Sequence, residues 1–138
     1  MGEVGSAAGP VLGVLELLDR DGQWRVAHVV HDWPLRIGRA LDGNDVLLAD
    51  PHVAPHHLSI APADDGLGLQ GLDTDNGVDH GPKRLRRGER ETLRGDGEAP
   101  EFVVGRTRLR LRLPGHVLAP ERPLAVEVSR AKRFGPTV

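Results

Sequence analysis

The chain has 138 residues, with 18 lysines and arginines against 20 aspartates and glutamates and a formal net charge of −2. That balance excludes a general nucleic-acid binder, which needs a bulk positive field to release counterions, and a sequence without cysteine excludes disulfide and thiolate chemistry. A chain of this size fits one domain with short tails and folds without staples. No run approaches the ~18 apolar residues needed for a membrane-spanning helix, and cysteine-free composition fits a reducing, cytoplasmic setting.

In chain order, residues 1–10 are small and polar and are expected to form a flexible N-terminus. Residues 11–18 read as a first strand, Asp19-Arg20-Asp21-Gly22 as a turn, and residues 24–31 as a second strand closing a hairpin. Pro34 then sets up the alternating Leu35-Arg36-Ile37. Further short strands are predicted at 45–48, 57–61, 67–72, 91–93, 101–104 and 106–113. Turn chemistry lies between them at Asp64-Asp65-Gly66, Asp75-Asn76-Gly77 and Asp96-Gly97. No window carries a 3.6-residue apolar repeat. Short strands with turns every eight to twelve residues argue for an all-β sandwich or barrel. The clearest strand alternates Arg106, Arg108, Arg110 and Arg112 with Thr107, Leu109, Leu111 and Leu113, so the leucines face the core and the guanidinium groups the opposite side. The domain is expected to span 11–114. Residues 115–138 read as a linker or tail, in which Leu124, Val126 and Val128 could add one strand before a basic end.

Three segments fall in order at informative spacing: Leu35-Arg36-Ile37-Gly38-Arg39; the stretch from Asn44 through Asp50, His52, Ala54, Pro55, His56 and His57 to Ile60; and Asp73-Thr74-Asp75-Asn76-Gly77-Val78. Together they resemble the forkhead-associated (FHA) family. The resemblance implies a β-sandwich of about eleven short strands in two twisted sheets, binding phosphothreonine peptides through loops at one end. It implies that Arg39 is the phosphate arginine, a role suited to its planar fork of donors. It implies that Asn76 holds the peptide backbone, its amide both donating and accepting. Thr74 keeps a hydroxyl where the family usually has serine. Gly38 and Gly77 are the motif's turn residues, and His57 its structural histidine, pinning a neighbouring loop without touching ligand.

The departures from the family pattern are as informative. Where members usually carry serine then arginine, this chain has Ala54, which has no donor, and Pro55, which has neither charge nor backbone N–H. Asp75 sits at a position that often faces the phosphate, where a carboxylate repels a dianion. His56, if close to Arg39, would supply part of the missing charge when protonated.

Other chemistry is poorly supported. His52, His56 and His57 with Asp50 resemble no closed zinc site, and His56 and His57 point to opposite faces of a strand, so no metal and no cofactor are expected. The serines lack a nucleophile-elbow context, and the carboxylates sit in turns, so the chain is not expected to be an enzyme. Two basic stretches, residues 83–87 and the arginine-rich strand, read as solvated faces with cross-strand ion pairs. The expected function is therefore a non-catalytic protein–protein recognition module with weakened or repurposed phosphopeptide binding. One alternative is a fully functional phosphothreonine-binding signalling domain. The other is attachment to nucleic acid or an anionic surface through the arginine-rich strand, although a nucleic-acid partner is not expected. The expected partner is a protein or peptide, with or without phosphothreonine.

Overall fold

The structure, a computed structural model, describes residues 9–64, 66–94 and 97–114. Most of the expected N-terminal tail and the whole of 115–138, with its candidate strand, lie outside the described residues. Eleven strands appear among them, and no helix: β1 (Gly13–Leu18), β2 (Trp24–Val30), β3 (Leu35–Gly38), β4 (Val46–Leu47), β5 (Leu58–Ala63), β6 (Gly66–Gly71), β7 (Val78–His80), β8 (Lys83–Leu85), β9 (Arg90–Leu93), β10 (Glu101–Val104) and β11 (Thr107–Arg112). They form two sheets, one in the order β2-β1-β11-β10-β7-β8 and the other β4-β3-β5-β6-β9. The all-β sandwich read from the sequence is thus the observed architecture.

The core follows from the period-two alternation. Leu35 and Ile37 of β3, Leu58 and Ile60 of β5, Leu69 of β6, Phe102 and Val104 of β10, and Leu109 and Leu111 of β11 are all buried between the layers. Antiparallel pairing keeps these apolar sets in phase: Leu35 lies opposite Ile60 and Ile37 opposite Leu58, and Leu109 opposite both Phe102 and Leu17. A slip of one residue would turn the apolar side chains of a strand to solvent, so burial itself holds the register.

Two strands escaped the sequence reading. Val78–His80 and Lys83–Leu85 form a tight hairpin across Gly81-Pro82. The stretch around Lys83 and Arg84 reads as a charged patch because only Leu85 turns inward. With a single apolar side chain pointing to the core, an edge strand of three residues has no alternation to detect. The predicted strand at 45–48 shrinks to Val46–Leu47, which pairs in parallel with the end of β3.

The outer face of the six-stranded sheet carries the arginines of β11, and they are paired. Glu16 of β1 lies directly opposite Arg110 and bonds it at 2.7 Å, with Arg112 at 3.5 Å. The Arg110 guanidinium also stacks 4.4 Å from the Trp24 ring, a favourable cation–π position. Glu16 is only 6% exposed. Arg108, by contrast, makes an exposed pair with Glu101 at 3.6 Å. Truncating one member of a buried pair leaves the other charge uncompensated, whereas an exposed pair contributes little. Glu16→Ala should therefore lower unfolding free energy by about 3 kcal/mol, and Glu101→Ala by less than about 1 kcal/mol, measured by urea denaturation.

Candidate functional site

Three loops meet at one end of the sandwich: 39–45 after β3, 48–57 after β4, and 72–77 after β6. The first two are stitched by the backbone, with Arg39 N–H donating to Ala54 O (3.0 Å) and Ala40 N–H to Pro55 O (3.1 Å). The Asn44 amide adds donors to Ala40 O (2.9 Å) and Pro55 O (2.8 Å). The approach is so close that a Cβ on Gly38 would lie 2.2 Å from Pro55 O, so only glycine fits before Arg39. The third loop is laid alongside by Leu72 N–H to His57 O (2.8 Å) and Asp73 N–H to His56 O (3.1 Å).

His57, fully buried, locks the loops together. Its Nδ1 accepts the Ala54 N–H at 2.9 Å, so the ring proton sits on Nε2. That nitrogen donates to Gly77 O at 2.8 Å, with Thr74 Oγ1 at 3.0 Å. Thr74 Oγ1 in turn accepts the N–H groups of Asn76 (3.1 Å) and Gly77 (3.0 Å). Gly77 has a φ of 74°, which favours glycine. Burial pushes the His57 pKa down, against the opposing pull of the Gly77 carbonyl and the Asp50 carboxylate.

Asp50 anchors the same loop to the other sheet. Its carboxylate accepts from His52 N–H (2.8 Å), Arg106 N–H (2.7 Å) and the Thr107 hydroxyl (2.8 Å). Burial would raise its pKa, but these donors and the nearby His52 outweigh it and hold the carboxyl below its ordinary value.

The result is a depression of about 360 Å³ lined by Arg39, Ala54, Pro55, Thr74, Asp75 and Asn76, together with Pro51, His52, Val53, Asp73 and Arg87. The structure brings the predicted Arg39, Thr74 and Asn76 to one rim, with the departing positions Ala54, Pro55 and Asp75 among them. Arg39 is aimed by a bond from its Nε to Val53 O at 2.9 Å, and its two terminal nitrogens have no partner among the described residues. Asn76 is held by its amide donating to His52 O at 2.8 Å. Thr74 is buried beneath the rim and spends its oxygen on the loop backbone. His56 does not line the depression: its ring lies over Gly43, where a Cβ would fall 3.0 Å from Cε1. His52 occupies the rim instead. Arg39 also borders an apolar hollow formed with Leu41, Leu47, Leu48, Ala49 and Pro51.

Arg87 is the residue that the sequence reading missed. It bonds Asp75 at 2.8 Å and Asp73 at 3.2 Å. The signal was the β7–β8 hairpin: Val78 pairs with Leu85, and the same register continued by two residues sets Arg87 across from Asn76.

Comparison with known proteins agrees with this fold. The family model of the FHA domain matches residues 35–96. Among solved structures, the FHA domain of the CT664 protein from Chlamydia trachomatis is similar at 19% identity and a TM-score of 0.60, covering 73% of this chain and 96% of that one. The FHA domain of an Arabidopsis thaliana hypothetical protein gives 23% identity and 0.57, covering 81% and 94%. The N-terminal FHA domain of S. cerevisiae Rad53p, solved with a phosphothreonine peptide, gives 17% and 0.56, covering 72% and 93%. No curated protein sequence matches the chain significantly. The sandwich has the fold of FHA domains, and its residues 35–96 match that family's model. The family consists of non-enzymatic interaction modules that recognise phosphothreonine peptides.

Two predictions follow from the lock. Thr74→Val leaves the Asn76 and Gly77 N–H groups without an acceptor and should destabilise the domain by about 2–4 kcal/mol. Thr74→Ser should stay close to wild type, both read by chemical denaturation. Because the folded-state pKa of His57 lies below its ordinary 6.5, the unfolded chain binds the proton first. The His57 contribution to stability is complete above about pH 6.5 and is lost as pH falls through the folded-state pKa. Melting temperature should drop between pH 7.5 and pH 5, and the drop should be smaller in His57→Gln, whatever that variant's own baseline.

Proposed function

We propose that the protein is a non-catalytic peptide-recognition module that binds phosphothreonine through Arg39 and does so weakly. The observation that carries this reading is the convergence of Arg39 and Asn76 at one depression, with the Arg39 terminal nitrogens unpartnered among the described residues while its Nε is held. A fixed guanidinium with two open donors suits a phosphate oxyanion. The Asn76 carbonyl and the rim above the buried Thr74 suit the peptide backbone on either side.

Weakness is supported by how the loop from Asp50 to Pro55 spends its donors. The His52 N–H goes to the Asp50 carboxylate, the Val53 N–H to Asp50 O and the Ala54 N–H to His57 Nδ1. Pro55 has no N–H, and the Ala54 side chain has no hydroxyl. Residues 52–55 of the loop thus present no backbone N–H to an anion. One missing hydrogen bond to a charged group is worth about 1.5–3 kcal/mol, which reduces affinity by a factor of about 10 to 100.

The adjoining apolar hollow favours a phosphate-independent mode as the second reading, since Leu41 is 83% exposed on its wall. A degenerate phosphothreonine peptide library and its unphosphorylated twin, titrated by fluorescence anisotropy, separate the two. The expected outcome is weak binding that requires the phosphate and is abolished by Arg39→Ala. Equal binding of both pools, unaffected by Arg39→Ala, would transfer the function to the apolar surface.

A further inference from the structure

Arg87 lies outside the family motif, yet it pairs with Asp73 and Asp75 at the rim of the depression. We infer that Arg87 is a second phosphate-binding cation of this site, and that in the free protein the two carboxylates occupy it as an internal ligand that phosphate must displace. This inference rests on the phosphothreonine reading above.

The geometry supports it at three points. Arg87 lines the same depression as Arg39, and it reaches it from the turn between β8 and β9, opposite the asparagine loop. That turn is anchored. Gly88 N–H donates to Gly71 O (2.9 Å), Gly71 N–H to Glu89 O (3.0 Å), and Glu89 N–H to Arg86 O (3.0 Å). The Glu89 side chain accepts from Arg86 N–H at 2.8 Å. The backbone therefore presents Arg87 at a fixed height on the rim, with only the side chain free to exchange partners. The ion pair itself is exposed, with the Asp75 side chain 94% and that of Arg87 58% accessible. Exposed pairs of this kind are weak, whereas a dianionic phosphate offers a guanidinium more charge and a bidentate acceptor.

The charge balance explains why such a device suits this chain. With Arg39 and Arg87 set against Asp73 and Asp75, the rim has no net charge before ligand arrives. The Ala54-Pro55 segment adds none. Asp75 thus acts twice against phosphate, by repelling it and by holding the cation that would compensate for the missing basic residue. An Asp75 substitution should consequently strengthen the site, and the gain should run through Arg87.

The test is a double-mutant cycle on the whole chain, using the phosphothreonine library and its unphosphorylated twin. Asp75→Asn should tighten binding of the phosphorylated pool alone by ~3- to 10-fold. Arg87→Ala should weaken it, and the D75N/R87A double variant should lose the gain. Both positions are exposed, so folding is not at stake. A gain that survives in full in D75N/R87A, no gain at all, or an equal gain for the unphosphorylated pool overturns the inference. If the wild-type protein prefers phosphate through Arg39 and the cycle still fails, only the inference falls. If neither wild type nor D75N distinguishes the two pools, the phosphothreonine reading falls with it.

Discussion

One neutral imidazole, buried among the loops, holds this end of the sandwich in shape. His57 takes a backbone N–H from the loop after β4 on one nitrogen and gives its proton to the loop after β6 from the other. Both bonds need the same tautomer, and burial favours the uncharged ring that supplies it. Thr74 extends the lock by collecting two further N–H groups from the turn that carries Asn76. Without this lock the loops would still be tethered to their strands, but nothing buried would tie Asn76 and Arg39 to the same rim.

The bonds that hold the loops in place also use up backbone donors along the loop after β4. Successive N–H groups of residues 52–54 all turn inward, two to Asp50 and one to His57. Asp50 then reaches across to the turn between β10 and β11, where Arg106 and Thr107 complete its acceptor positions. The loop is thus fixed from both sheets. The groups left at the rim are side chains, among them two arginines and two aspartates.

Away from that end, charge serves cohesion. The arginine face of β11, which resembles a basic surface on paper, is largely engaged by Glu16, Glu101 and the Trp24 ring. A guanidinium held between a buried carboxylate and an aromatic face has little left for counterion exchange with a polyanion. No helix among the described residues is long and apolar enough to cross a membrane.

The sandwich class, the core alternation of β3, β5, β10 and β11, and the positions of Gly38, Arg39, His57 and Asn76 were legible in the sequence, because period-two burial and spaced motif residues are local signals. The short β7–β8 hairpin was not, since three-residue strands with one inward side chain leave no period to read. What the chain order could not express was which groups face one another across loops. It shows Ala54 and Pro55 without donors, but not that the neighbouring N–H groups are already spent. It shows Asp75 as a lone repulsive carboxylate, whereas the hairpin register returns Arg87 to its side twelve residues later. Pairing partners far apart in sequence are selected by the closure of the sheets. The local pattern therefore determined the scaffold and its motif residues, while only the folded chain decided how the charges at the rim are matched.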